Sequence, residues 1–159
     1  MALTREQARA VLDTYIQAWE TQDPDLIVTI FTASATYHER VLQDPIPDRD
    51  AIRRYWQEKV VRSQANIKCE LLNLYLDGTT VIAEWQAEFD DLAQNVRKRM
   101  REIAVLTFEG TLISSLREYW SSERIGPVSA TPSALSAVVA HSRPSALSRK
   151  RSARPLSLS

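Results

Sequence analysis

Cysteine, histidine and glycine are all scarce in this sequence, and their scarcity excludes several kinds of site. With one cysteine, Cys69, the chain can form neither an internal disulfide nor a metal site with paired thiolates. His38 and His141 do not make a metal site, and three glycines cannot form a Gly-rich phosphate loop. We therefore expect no metal ion, no cofactor and a reducing compartment, the cytoplasm.

Long apolar runs are also missing. No stretch approaches the length that spans a bilayer. The first residues, MALTREQ, carry charges where a secretory signal needs an apolar run. We therefore expect no membrane partner.

The charged residues divide the chain into two parts. All 20 acidic residues precede Gly126, whereas five of the 20 basic residues follow it. Residues 126–159 are rich in Ser, Ala, Pro and Arg and contain no aromatic residue, so they cannot bury enough apolar surface to offset their ordering entropy. We predict one domain over residues 1–125 and a disordered tail over 126–159. The basic run of the tail is typical of a solvated segment, and we expect no nucleic-acid partner, although contact with nucleic acid or anionic lipid is the alternative.

Helices are predicted in the first part of the domain. Thr4 and Gln7 have the spacing of a capping box, and apolar residues then recur at steps of three and four. Tyr15 lies on this apolar stripe and faces inward. Asp23, followed by a proline, is the expected N-cap of a second helix, and Asp48 is that of a third.

Strands account for the rest of the domain. Residues 35–39 form a predicted short strand, because two prolines follow shortly after it. Residues 66–92 and 98–122 alternate with period two and are each divided by a turn with glycine, which predicts two long hairpins. Helices followed by strands predict an α+β domain with three N-terminal helices packed on an antiparallel sheet.

The element order, together with the segments AWETQDPDLIVTIFTASATYHE and FEGTLISSLREYW, resembles the SnoaL-like branch of the nuclear transport factor 2-like superfamily. The resemblance covers Thr4 to Ile125. It implies a cone made by three helices and a curved sheet, with a small-molecule pocket at the open end. Because this superfold hosts isomerases, cyclases, dehydratases, epoxide hydrolases and proteins without catalysis, it does not fix the function.

The opening segment is similar to that of ketosteroid isomerase. The resemblance places Tyr15 at the tyrosine that binds the oxyanion and Glu39 at the aspartate that acts as base. Chemically, a pocket carboxylate can remove a proton next to a carbonyl, and a buried phenol can bind the oxyanion that develops. The second oxyanion donor of that family falls on Ala104, which cannot donate, and this counts against steroid isomerisation.

The SnoaL-like cyclases suggest a third candidate residue. They use a carboxylate on the last strand, which Glu118 most resembles, and a histidine near positions 102 and 104, which this chain lacks. Strand parity and the resemblance predict the following further pocket residues: Trp19, Tyr37, Trp56, Trp85, Phe89, Glu102, Leu116 and Trp120.

Each candidate residue has a structural alternative. Tyr15 on an apolar helix face is more typical of a core tyrosine than of a catalytic acid, and Glu39 is also typical of a solvated strand end that pairs with Arg40 or Arg49. Glu102, which has arginines on both sides, is the expected partner in a cross-strand charge pair if it faces outward. A one-residue slip in register would turn Glu118 to the solvent.

The resemblance implies a homodimer, and the sequence predicts a protein that binds a small apolar molecule. As an enzyme it would be a cofactor-independent isomerase, cyclase or dehydratase that acts on a carbonyl compound. Tyr15, Glu39 and Glu118 would be its catalytic residues. The alternatives are a ligand carrier without turnover, and an assembly protein that uses the outer face of its sheet.

Overall fold

A computed structural model of the chain describes residues 2–130. The helices are α1 (Arg5–Thr21), α2 (Pro24–Ile27) and α3 (Arg49–Trp56). A 3-10 turn, Val28–Ile30, follows α2, and a π-helical turn, Gln57–Val61, continues α3. Within residues 2–130, no helix combines the length and the apolar character needed to cross a membrane. The predicted disordered tail lies outside the described residues from position 131 onward.

Five strands form one sheet. They are β1 (Phe31–His38), β2 (Gln64–Asp77), β3 (Thr80–Asp91), β4 (Val96–Glu109) and β5 (Leu112–Gly126). Their order in the sheet is β1-β5-β4-β3-β2. Strands β2 to β5 pair antiparallel, whereas β1 pairs parallel to β5. The predicted α+β class, with helices packed on a curved sheet, is confirmed.

The predicted helix caps are present. Thr4 and Gln7 form the capping box. The Thr4 backbone N–H donates to the Gln7 side chain at 3.0 Å, and the Gln7 backbone N–H donates to the Thr4 hydroxyl at 3.1 Å. The Asp23 side chain accepts from two backbone N–H groups at the start of α2, and the Asp48 side chain accepts from one at the start of α3. These bonds satisfy donors that a helix start leaves unpaired. They set where each helix begins, whereas the buried face of α1, including Tyr15, follows from its apolar stripe.

The segment between α2 and β1 differs from the prediction. A short strand over residues 35–39 was expected, but β1 begins at Phe31 and ends at His38. The 3-10 turn ends the helical segment early, and the fully buried Phe31 pairs with Ile113 of β5 instead of closing a helix. The register shifts between Phe31 and Thr36, so this first part of the strand has an irregular pattern that alternation alone does not reveal.

Both hairpins form as predicted. The turns contain Gly78 and Gly110, whose φ angles of 60° and 64° lie in the left-handed region that favours glycine. The register aligns Trp85, Glu102 and Trp120 across β3, β4 and β5, and it places Ala104 beside Glu118. Because side chains on directly paired residues share a face, these rows fix which residues face the helices.

A buried carboxylate holds the ends of β3, β4 and the segment after β5 together. Asp90 is 1% exposed and accepts hydrogen bonds from Asn66, Arg97 and Ser129 at 2.7 to 3.2 Å. Burial alone would raise the pKa of Asp90, but these bonds outweigh it and hold the pKa below its usual value. A depressed carboxyl pKa means that the ionised group stabilises the folded state.

We expect Asp90→Asn to lower the free energy of unfolding by about 2 kcal/mol at neutral pH, since hydrogen bonds to a charged group are each worth about 1.5–3 kcal/mol. The stabilisation by Asp90 is present above the carboxyl pKa of the unfolded chain and is lost as the pH falls through the folded value. Urea unfolding at neutral pH and near pH 3 measures both effects. Asp77→Asn, at an exposed turn position, is the control. An equal difference between Asp90→Asn and the unaltered protein at the two pH values would contradict this account.

Candidate functional site

A cavity of about 330 Å³ lies between the helices and the inner face of the sheet. This volume is at the lower end of the range for small-molecule pockets. The acidic and aromatic residues that line it are Tyr15, Trp19, Tyr37, Glu39, Tyr55, Trp56, Phe89, Asp91, Glu102, Glu118 and Trp120. The basic residues that line it are Arg40, Lys59 and Lys98.

Glu118 is held inside the cavity by two tyrosines. The hydroxyl of Tyr15 donates to Oε1 of Glu118 at 3.1 Å, and the hydroxyl of Tyr37 donates to the same oxygen. The two hydroxyl oxygens lie 2.8 Å apart. Because both phenols bind Oε1, the other carboxyl oxygen, Oε2, is left for the cavity that Glu118 lines.

Three different elements bring these groups together. Tyr15 comes from the buried face of α1, and Tyr37 from the end of β1, where it pairs with Leu116 of β5. Glu118 lies two positions further along β5, on the same face as Leu116. The parallel pairing of β1 with β5 is therefore what places Tyr37 beside Glu118.

The surroundings of Glu118 favour its uncharged form. Burial raises its pKa, the hydrogen bonds from Tyr37 and Tyr15 lower it, and the charge of Glu39 raises it; the net pKa is about 8. At neutral pH Glu118 is therefore mostly protonated. Burial and the nearby charge of Glu118 also raise the pKa of both tyrosine hydroxyls well above the usual value, so both stay protonated donors.

Glu102 is a second buried carboxyl group in the cavity. It is 2% exposed, and its Oε1 atom has no hydrogen-bond partner among residues 2–130. Burial, followed by the charge of Glu118, raises the pKa of Glu102 well above its usual value. The adjacent Trp85 is close enough to lower that pKa slightly, but its indole N–H does not reach hydrogen-bond geometry.

The alternative role of Glu102 as a partner in a cross-strand charge pair is wrong. The neighbouring arginines lie on the other face of β4, where Arg99 binds Glu88 at 2.9 Å and Arg101 binds Glu84 at 3.2 Å. Glu102 instead faces the cavity, on the opposite side of the sheet from these ion pairs.

Glu39 lies one position beyond the end of β1 and is half-buried. It lines the cavity, and its backbone carbonyl accepts a hydrogen bond of 3.3 Å from the indole of Trp120. Its carboxylate faces Tyr55, whose hydroxyl pKa is raised by burial and by the charges of Glu118 and Glu39. The neighbouring His38 does not line the cavity, as expected from alternation along the strand.

Aromatic rings cover much of the remaining wall. Trp19 and Trp56 stand almost perpendicular to the ring of Tyr15, each at an interplanar angle of 85°, with centroids 6.5 and 5.5 Å away. The indole of Trp19 donates to Gln64 at 2.8 Å, which fixes its orientation. The other aromatic wall residues predicted from sequence, Tyr37, Phe89 and Trp120, also line the cavity.

Two predicted pocket residues lie elsewhere. Trp85 is fully buried behind Tyr15, with the two rings stacked at 4.9 Å, and Leu116 is fully buried in the core. Both face inward as expected, but neither lines the cavity. Alternation along a strand identifies the residues that face the helices. Which of these residues line the cavity depends on where the helices pack.

Tyr55 is the functional candidate that the sequence analysis missed. Tyr55 lies one turn after the buried Ile52 on α3, and this spacing is typical of a core tyrosine. The signal was its position next to Trp56, a predicted pocket residue, on the same helix. Among residues 2–130, no group of three or more His, Cys, Asp or Glu side chains is arranged to hold a metal ion.

Several solved structures are similar to this chain. One is a hypothetical protein with a ketosteroid isomerase-like fold from Catenulispora acidiphila, in complex with trimethylamine, with a TM-score of 0.63 and 19% identity over 70% of this chain and 85% of that chain. SalBIII, an epoxide hydrolase/cyclase-like enzyme of pyran ring formation in salinomycin, has a TM-score of 0.66 and 24% identity over 76% and 97%. An LEH-like epoxide hydrolase of M. tuberculosis has a TM-score of 0.62 and 14% identity over 73% and 84%. At these identities the similarity establishes the fold.

The family assignment comes from a separate comparison. No curated protein sequence matches this chain. The profile described as SnoaL-like domain matches residues 12–116, which is most of the described part of the chain. The matched span contains Tyr15, Tyr37, Glu39 and Glu102, and it ends two residues before Glu118. The chain therefore belongs to the SnoaL-like domain family.

Proposed function

We propose that this protein is a cofactor-independent isomerase, cyclase or dehydratase that acts on a small, largely apolar carbonyl compound by general acid–base catalysis. The observation that carries the proposal is Glu118, a buried carboxyl group held by two tyrosines at the wall of a cavity. Its pKa of about 8 is close to the working pH, where proton transfer in either direction is most effective.

The proposed chemistry uses two carboxyl groups in complementary roles. Glu118 gives the proton on Oε2 to the carbonyl oxygen of the substrate, while the Glu39 carboxylate takes a proton from the adjacent carbon. The product of this step is an enol, with Glu39 protonated and Glu118 ionised. Return of the proton to a different carbon and of the enol proton to Glu118 gives the isomer and restores both groups. Cyclisation and dehydration use the same transfers with a different bond made or broken.

Tyr15 and Tyr37 are positioning residues in this proposal. Their hydroxyls bind Oε1, so they orient the carboxyl group and stabilise the negative charge that Glu118 gains when it gives up its proton. The resemblance to ketosteroid isomerase implied that Tyr15 would bind the substrate oxyanion directly. Because the Tyr15 hydroxyl already donates to Glu118, we assign the hydrogen bond to the substrate oxygen to Glu118 instead.

A ligand carrier without turnover is the second candidate. It is favoured by the closed network of Tyr15, Tyr37 and Glu118, in which both phenol hydroxyls are already engaged. The similar structures are compatible with an enzyme and with a carrier, since one is described as an epoxide hydrolase/cyclase-like enzyme and another as a complex with trimethylamine.

We also propose that the protein is a cytoplasmic homodimer that pairs through the outer face of the sheet. Tyr75, Ile82 and Tyr119 are 58%, 39% and 48% exposed. Tyr75 pairs directly with Ile82, so these two form one exposed apolar patch beside the charged pairs of the same face.

The catalytic proposal predicts that Glu118→Gln lowers the rate at least about 100-fold, the usual scale for loss of a general acid. Cyclic β,γ-unsaturated ketones are suitable probes, because their conversion to conjugated ketones is followed by ultraviolet absorption. Because the reaction needs protonated Glu118, the rate for the unaltered protein should fall as the pH rises through about 8. Glu109→Gln, at an exposed position on β4, is the control.

An unchanged rate in Glu118→Gln would refute the assignment of Glu118. If ketones bind but the unaltered protein neither converts them nor exchanges their α-hydrogens with deuterium from the solvent, the carrier is the better account.

The dimer proposal predicts that Ile82→Lys converts the protein to a monomer, because a charge at the centre of an apolar interface is costly to bury. Light scattering during size-exclusion chromatography measures the mass directly. Lys68→Ala, at the charged edge of the same face, should leave the dimer intact. A monomeric unaltered protein at tens of micromolar concentration would contradict the proposal.

A further inference from the structure

We propose that the cavity binds an organic ammonium ion, a small ligand whose alkylated nitrogen carries a positive charge. Two independent observations support this inference: a buried carboxyl group with an unpartnered oxygen, and three aromatic rings set around the same space. The inference goes beyond the acid–base proposal, because it concerns the charge of the ligand and does not require the protein to be an enzyme.

The first observation is that three glutamate carboxyl groups of the cavity have no cationic partner among residues 2–130. Glu39, Glu102 and Glu118 all line it, and none of them forms a salt bridge within residues 2–130. Oε1 of Glu102 is buried and has no partner there. A buried carboxyl group without a partner costs free energy, so it favours a ligand that supplies a donor or a positive charge.

The basic residues that line the cavity do not fill this role. Lys98 binds Asp91 at 2.7 Å, and the guanidinium of Arg40 lies over the ring of Trp120, 5.0 Å from its centroid. Lys59 is exposed on the π-helical turn after α3. These three cations are more exposed than Glu102 and Glu118, which are buried.

The second observation is the arrangement of the rings. Tyr15, Trp19 and Trp56 all line the cavity, and the planes of both tryptophans are perpendicular to that of the tyrosine. The three rings therefore give the cavity a continuous aromatic wall, and the faces of aromatic rings attract alkylated ammonium groups. A neutral apolar ligand would use the rings equally well, but it would leave Oε1 of Glu102 without a partner.

The proposal has a defined pH dependence. An ammonium ion binds the ionised carboxylates, so its binding must displace protons from the cavity. The titratable and charged groups that face Glu118 and Glu102, or line the same cavity, are Tyr15, Tyr37, Glu39, Arg40, Tyr55, Lys59, Asp91 and Lys98. For a ligand with a permanent charge, affinity should therefore rise with pH, by up to about tenfold per unit for each proton displaced, as Glu118 and Glu102 lose their protons.

The test compares choline with its carbon isostere dimethylbutanol, in which a tert-butyl group replaces the trimethylammonium group. Calorimetry with the full chain should show choline binding at least about tenfold tighter than the isostere above pH 8, and proton release on binding at neutral pH, where Glu118 starts protonated. Glu102→Gln should weaken choline at least about tenfold and leave the isostere unchanged. Glu109→Gln on the same strand should change neither affinity, and circular dichroism confirms that each variant is folded.

Equal or tighter binding of the isostere, choline affinity that falls with rising pH, or no choline binding at all would overturn the inference. None of these results tests the proposed catalysis, which is tested separately by the rate of ketone conversion. Conversely, choline binding by a protein that converts no ketone would support this inference and refute the proposed enzyme.

Discussion

The site depends on one interaction, the burial of the Glu118 carboxyl group against the hydroxyls of Tyr15 and Tyr37. Burial favours the protonated acid and the two phenols favour the carboxylate, so the two effects oppose each other. Their balance leaves a group that can both give and receive a proton near neutral pH. Either effect alone would produce a group fixed in one state.

Three elements of the fold bring the three groups of this interaction together. Tyr15 lies on the apolar stripe of α1, and the burial of that stripe turns it inward. The parallel pairing of β1 with β5 puts Tyr37 next to Glu118, and Trp85 supports Tyr15 from behind. Three segments that are distant in sequence therefore each contribute one group, and the cavity is the space that they leave between them.

Much of this was predictable from the sequence. Capping residues, the steps of three and four in α1, and the period of two after residue 66 specify the element order, because each is a local signal. Tyr15, Glu39, Glu102 and Glu118 were assigned to the inner face from parity and from the resemblance to known families, and the structure brings all four to one cavity.

The rest could not be predicted, for physical reasons. The early start of β1 depends on the pairing of Phe31 with a strand more than eighty residues away, which no local pattern encodes. The exclusion of Trp85 from the cavity depends on where the ring of Tyr15 lies. Side-chain geometry alone shows that both phenols bind the same oxygen of Glu118, and this contact is why we propose Tyr15 as a positioning residue and not as the oxyanion donor.

The central claim is that Glu118 is an uncharged acid at neutral pH. Its most direct test is a titration of the carboxyl carbons by nuclear magnetic resonance, in the unaltered protein and in Tyr37→Phe. The account predicts that Glu118 titrates near pH 8 and that loss of the Tyr37 hydrogen bond moves the pKa higher. A Glu118 signal that titrates near the ordinary value of 4.5 in both proteins would contradict it.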